Sequence, residues 1–184
     1  NKKIFFMVTM PLYYERYLNF AETPLCMEYY DIISKSYNEL HKEEQLNKLS
    51  IIKADIKISK GTRILDVGCG TGISSDFECF VVGIDPSIRL LQQNKKMKVI
   101  SVAESLPFKD NSFDIIVSVT SMHNFSDIQK SINEMKRVGK RNFVLTILKK
   151  SKKFEGIKGH IETSFHVNKV LEEDNDLIFF CEKP

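Results

Sequence analysis

The stretch Ile64-Leu65-Asp66-Val67-Gly68-Cys69-Gly70-Thr71-Gly72 decides how this chain reads. Residues 63–67 form an apolar run that ends directly in three alternating glycines, the pattern of a buried strand entering a tight turn. Glycine has no Cβ, so the backbone there can bend sharply and come within contact distance of a ligand. A helix beginning after the turn would add free amide donors and the positive end of its dipole. The spacing is Gly-x-Gly-x-Gly. Dinucleotide-binding dehydrogenases carry Gly-x-Gly-x-x-Gly, and a P-loop would continue into Gly-Lys-Ser/Thr. Asp66 sharpens the exclusion, because a carboxylate two residues before Gly68 repels a pyrophosphate and suits a ligand that carries an ammonium group.

Outward from this strand the pattern repeats. Residues 80–84 form a second apolar run ending at Asp85-Pro86, and 88–96 reads as a short helix. Residues 99–103, 113–119 and 142–148 give a third, fourth and fifth strand. Between the last two, Ser126 is placed to cap a helix whose Ile128, Ile132, Met135 and Val138 keep a helical period until Gly139. Upstream, Ile33, Tyr37 and Leu40, continued by Leu46 and Leu49, predict one or two amphipathic helices over 28–52. Downstream, 165–171 and 177–181 flank the polar turn Glu172-Glu173-Asp174-Asn175-Asp176 as an antiparallel hairpin at a sheet edge. Strands that are apolar throughout and alternate with helices imply a parallel sheet covered on both faces. The expected fold is α/β: a Rossmann-like, doubly wound, seven-stranded sheet, six strands parallel and one antiparallel, ending in the hairpin. Only 73–80 separates the glycine turn from the second strand, so the first core helix is short, and 149–163 reads as a loop.

At 184 residues the chain is the length of one domain, assigned to 27–184, with 1–26 as an N-terminal extension. A composition of 42% hydrophobic and 28% charged residues supports a full core. No apolar run reaches the roughly 20 residues needed to cross a bilayer, so the expectation is a cytoplasmic protein without membrane contact. Cys26, Cys69, Cys79 and Cys181 form no Cys-x-x-Cys pair, which argues against a zinc site or a disulfide framework. The net charge is only +3, yet 130–160 holds ten basic residues against Glu134 and Glu155. Of these, Lys149, Lys150, Lys152 and Lys153 follow the fifth strand, at the carboxyl edge where open α/β sheets bind ligands. A polyanion such as RNA is a candidate partner for that patch.

Asp85 ends the second strand, where an acidic residue can accept both hydroxyls of a ribose. With Asp66 and the glycine turn it resembles the class I S-adenosylmethionine-dependent methyltransferases. The resemblance extends through Ala103-Glu104-Ser105-Leu106-Pro107-Phe108 and Asn111-Ser112-Phe113-Asp114, similar to the adenine-side segment and fourth strand of the ubiquinone-biosynthesis-type members. Tyr30-Asp31 and Tyr37-Asn38-Glu39-Leu40 resemble the helix before the core.

The resemblance implies S-adenosylmethionine as cofactor. Gly68, Gly70 and Gly72 would lie against its amino-acid end and ribose, with Asp66 on the ammonium side. Asp85 would take the ribose hydroxyls, Ile84 and Pro86 would flank the adenine, and Ala103 would offer its backbone amide. Tyr30 and Tyr37 would lie on the lid side. The family often carries an Asp just before that alanine; this chain has Val102, with Glu104 or a backbone carbonyl as the substitute. Residues 118–125 would line the methyl-transfer site, and His123 is its candidate general base, the residue there that titrates near neutrality. Compact relatives also imply a small activating protein subunit. The expected function is methyl transfer to an acceptor the sequence does not name, RNA or another macromolecule among the candidates. The alternative is a non-catalytic S-adenosylmethionine-binding module that supports a partner protein.

Overall fold

The structure, a computed structural model, describes residues 37–184. Its elements are α1 (Tyr37–Asp55), β1 (Arg63–Val67), β2 (Phe80–Asp85), α2 (Ile88–Gln93), β3 (Met97–Ile100), β4 (Phe113–Ser118), α3 (Ile128–Val138), β5 (Gly139–Leu148), α4 (Phe154–Ser164), β6 (His166–Glu172) and β7 (Asp176–Glu182), with a single 3-10 turn at Met122–Asn124 after β4. The expectations for 1–26, for Tyr30 and for the Tyr37 side chain lie outside the described residues.

The strands form one seven-stranded sheet in the order β3-β2-β1-β4-β5-β7-β6. The first five pair in parallel, with Leu65 of β1 level with Val82 of β2 and Ile116 of β4. β7 runs antiparallel between β5 and β6, so the hairpin closes the sheet as expected, with six strands one way and one the other. The chain reverses its stepping direction between β1 and β4, and in open α/β sheets the crevice at such a switch point is where ligands bind.

Alternation along each strand divides the core in two. Ile64, Ile115, Val117 and Val144 face Leu49 and Ile52 of α1. Leu65, Val67, Ile116 and Leu145 face the opposite way, onto Ile132, Met135 and Val138 of α3 and Ile157 and Ile161 of α4. Burying a Leu- or Ile-sized side chain contributes roughly 1.5–3 kcal/mol, so these two layers carry the fold.

Four expectations need correction. First, no helix follows the glycine turn: 71–79 is a chain of turns, with Gly72 N–H bonded to Cys69 O at 2.9 Å and Ser75 N–H to Gly72 O at 3.2 Å. Ser74 and Ser75 direct their hydroxyls back onto Asp66, a competition that disfavours helix, and too few residues remain before β2 to resume one. Second, the expected loop at 149–163 contains α4. Phe154, Ile157 and Ile161 carry its buried stripe, while Gly156 and Gly159 sit where a Cβ would meet only open space. Third, Asp127 rather than Ser126 caps α3, accepting from Lys130 N–H at 2.9 Å. Fourth, Leu46 is 44% exposed, and Lys48 takes the buried position on α1 instead.

Candidate functional site

β1 and β2 deliver Asp66 and Asp85 to the same carboxyl edge, and the glycine turn joins them. Gly68, Gly70 and Gly72 have φ of +80°, +51° and +85°, the left-handed region that costs an L side chain roughly 1–2 kcal/mol. Gly68 and Gly72 are also packed tight. A Cβ on Gly68 would collide with Ser121 Cβ, and one on Gly72 would collide with Asn94 Oδ1. Gly70 differs, since a Cβ there would meet nothing closer than Leu90 Cδ1 at 3.7 Å. The ends of the turn are therefore clamped, while its buried middle leaves room for a side-chain carbon.

Asp85 organises the turn from below. One carboxylate oxygen accepts Gly70 N–H at 2.9 Å and the other accepts Ser87 N–H at 2.8 Å. Ile84 O accepts both Gly68 N–H and Cys69 N–H, so β2 and the turn form one unit. Cys69 is buried, and burial with the nearby Asp66 and Asp85 carboxylates pushes its thiol up, which suits packing and not nucleophilic chemistry.

Asp66 is fully buried at the end of β1. Its Oδ2 accepts from Ser74 Oγ at 2.8 Å and from Ser75 Oγ at 2.5 Å, whereas its Oδ1 has no hydrogen-bond partner among the described residues. Burial raises its pKa from the ordinary 3.8 to about 6, only partly offset by the two serines. A buried acceptor atom without a donor costs roughly 1–3 kcal/mol, which a cationic ligand at this edge would recover. An unmet acceptor at the end of β1, just before the glycine turn, is compatible with the ammonium that the amino-acid end of S-adenosylmethionine carries. The residues present thus fit the cofactor implied by the sequence.

On the adenine side, Ala103 is buried and Pro86 half-buried. Glu104 is buried beside Ala103. Its Oε1 accepts from Ser126 N–H at 2.7 Å, Ser126 Oγ at 2.8 Å and Asp127 N–H at 3.2 Å, bracing the turn into α3. The segment behind it is anchored by Arg137, which donates to Leu106 O and Phe108 O and pairs with Glu134 and Asp110.

The 3-10 turn after β4 places His123 half-buried at the same edge. Burial lowers its pKa, opposed by Asp176 and reinforced by Lys153 and Lys48, so the imidazole is neutral at physiological pH. Lys48 and Asp176, which no sequence motif marks, form an ion pair beneath this turn. The basic patch is less free than its sequence implies. Lys149 pairs with Glu172 at 3.0 Å and Lys153 donates to Phe125 O at 3.0 Å, while Lys150 and Lys152 remain exposed. Glu172, Glu173 and Asp174 line a cavity of about 520 Å³ beside Lys149, which sets acid next to base. Among the described residues no cluster of His, Cys, Asp and Glu could hold a metal, and no helix is long and apolar enough to cross a membrane.

A family model described as a methyltransferase domain matches residues 65–147. The chain is 36% identical over 128 residues to an uncharacterised protein of Methanocaldococcus jannaschii, spanning 65% of this chain and 50% of that one. It is 37% identical over 89 residues to the demethylmenaquinone methyltransferase of Renibacterium salmoninarum, spanning 44% of this chain and 38% of that enzyme. The chain thus covers half or less of these curated relatives. The fold is shared with a crystal structure of an S-adenosylmethionine-dependent methyltransferase from Aquifex aeolicus, at a TM-score of 0.70 and 18% identity, covering 84% of this chain and 98% of that one. It is shared equally with a chain in the complex between the Haloferax volcanii Trm112 methyltransferase activator and a methyltransferase, at a TM-score of 0.71 and 14% identity, covering 84% and 97%. Sheet order, glycine turn and family match agree: residues 65–147 carry a class I S-adenosylmethionine-dependent methyltransferase domain.

Proposed function

We propose that this chain binds S-adenosylmethionine on the 68–72 turn and transfers its methyl group to a small-molecule acceptor held at the carboxyl edge of β4 and β5. The observation that carries this reading is the buried Asp66 Oδ1, without a hydrogen-bond partner among the described residues, at the end of a strand that runs straight into three left-handed glycines. When bound, the cofactor supplies a methyl group already activated on a sulfonium. The chain's own part is to bind, orient and keep water out.

In this reading Asp66 pairs with the ammonium, Asp85 takes the ribose hydroxyls, and Ile84, Pro86 and the backbone at Ala103 hold the adenine. Glu104 Oε1 is engaged at the start of α3, so the adenine edge is left to backbone groups or to Glu104 Oε2. His123, neutral at physiological pH, takes the proton of an acceptor hydroxyl or amine as its bond to the methyl forms. Free Cys69, Cys79 and Cys181 fit a reducing, cytoplasmic setting.

The acceptor is taken as small for two reasons. The pairing of Lys149 with Glu172, and the acidic turn beside it, weaken the patch that would attract RNA. The relative named for demethylmenaquinone also acts on a small molecule. A small activating subunit fits the turn that replaces the first helix, and the structural relative in complex with the Trm112 activator supports the idea. That same missing helix favours the second reading, a cofactor-binding module without turnover.

Incubation with methyl-labelled S-adenosylmethionine and separated small-molecule, RNA and protein pools tests the proposal. Label in the small-molecule pool is the expected result. Label in RNA alone would overturn the acceptor class. Saturable cofactor binding without transfer to any pool, with and without an added activator, would favour the module.

A further inference from the structure

Thr120 has φ +50°, just past the end of β4. Asn111, at +52°, is a residue type that tolerates this region, whereas a β-branched threonine there is a genuine outlier. Such strain persists only when the surroundings over-determine it. Here they do, from three elements. Thr120 N–H donates to Thr146 Oγ1 of β5 at 2.6 Å. Its Oγ1 accepts from Lys48 Nζ of α1 at 2.9 Å and reaches Asp176 Oδ1 of β7 at 3.3 Å. Lys48 also pairs with Asp176 and, at 2.6 Å, with Glu44, and neither Lys48 nor Asp176 exposes any side-chain surface.

What the strained residue accomplishes is visible at its neighbour. Ser121 Oγ donates to Val67 O at 2.9 Å and shares a 2.6 Å contact with Ser118 Oγ. Ser121 Cβ fills the space a side chain on Gly68 would need. The bend at Thr120 is thus what seats β4's end on the first glycine of the cofactor turn. A buried ion pair is a poor way to gain stability, because its desolvation offsets its attraction and apolar residues often do as well. An apolar pair could not hydrogen-bond Thr120.

We infer that Lys48 and Asp176 are positioning residues: they hold Thr120 in its left-handed conformation and thereby set Ser121 against Gly68, fixing the shape of the cofactor turn from the far side of the site. The binding arm of the test rests on the cofactor reading above; the spectroscopic arm does not.

Four proteins decide it: wild type, K48M/D176N, T120G and the triple variant. Each is followed by the amide resonances of Gly68 and Ser121 and by calorimetric titration with S-adenosylhomocysteine. With Thr120 present, K48M/D176N shifts both amides and weakens binding about tenfold; in the T120G background, where glycine adopts the bend unaided, the same replacement changes affinity less than about twofold. Equal effects in both backgrounds, or no effect in the first, would overturn the inference. If K48M/D176N does not fold, D176N, which leaves Lys48 paired with Glu44, runs the same comparison. A wild type that fails to bind the ligand would count against the cofactor reading, and the amide shifts alone would then decide this one.

Discussion

Lys48 of α1 and Asp176 of β7 form an ion pair in which both side chains are wholly shielded from solvent, directly under the turn that carries His123. Removing Lys48 strands a buried carboxylate, whereas removing Asp176 leaves Lys48 with Glu44. Lys48→Ala should lower unfolding stability by about 3–5 kcal/mol and Asp176→Ala by less, and the double variant should cost less than the sum. Denaturant unfolding of the three proteins checks the non-additivity; strictly additive losses would mean the two side chains act independently.

The three glycines should rank by geometry. Gly68→Ala and Gly72→Ala meet both left-handed backbone and a steric collision, whereas Gly70→Ala meets the backbone penalty alone. Gly70→Ala should therefore cost about 1 kcal/mol of stability and the other two clearly more. Thermal unfolding measures this order, and a Gly70 variant less stable than the Gly68 variant would refute the packing described for the turn.

Asp66 sets a pH dependence. Its native pKa of about 6 lies above the ordinary 3.8, so the native chain binds this proton more tightly than the unfolded chain does. The group's contribution to stability is full below about 3.8, falls as pH rises to about 6, and amounts to something on the order of 3 kcal/mol. A ligand ammonium on Oδ1 favours the carboxylate, so affinity should rise with pH over that window and binding near pH 6 should release a proton. Titrations in buffers of different ionisation enthalpy read the proton directly. Asp66→Asn should abolish both the release and the stability slope.

Asp85→Ala removes the acceptor for Gly70 N–H and Ser87 N–H as well as the ribose partner. Cofactor affinity should fall by about 1.5–3 kcal/mol, with a loss of stability in the free protein too. A variant that loses stability but binds normally would place the ribose elsewhere.

His123→Gln should lower methyl transfer by about 10²–10⁴-fold while leaving S-adenosylhomocysteine affinity within a factor of two, since the ring acts on the acceptor's proton. Parallel rate and binding measurements separate the two, and an unchanged rate would make His123 structural.

β1, the glycine turn and Asp85 were readable in the sequence because their signals are local: an apolar run, its end and the residues that follow at once. Lys48 and Asp176 were not, since each is explained only by the other, far away along the chain. Read alone, Asp176 belongs to an acidic turn and Lys48 to a solvated face. One signal did exist: Gln45, Lys48, Leu49 and Ile52 share the helical spacing of a buried stripe, and Leu46 falls outside it. The α4 helix was hidden by Gly156 and Gly159, whose low helix propensity outweighed Phe154, Ile157 and Ile161 until burial against the sheet decided the matter. The helix expected after the turn failed for the opposite reason, because Ser74 and Ser75 found a better partner in Asp66 than in the next helical turn. Glu104 shows the same limit: its partners at 126 and 127 depend on tertiary placement.

Every functional role assigned to these residues requires that the turn between Asp66 and Asp85 hold S-adenosylmethionine. Calorimetric titration of the purified protein with S-adenosylhomocysteine at neutral pH tests it most directly. Saturable one-to-one binding that Asp66→Asn weakens is the expected result; absence of saturable binding at any attainable concentration would contradict it.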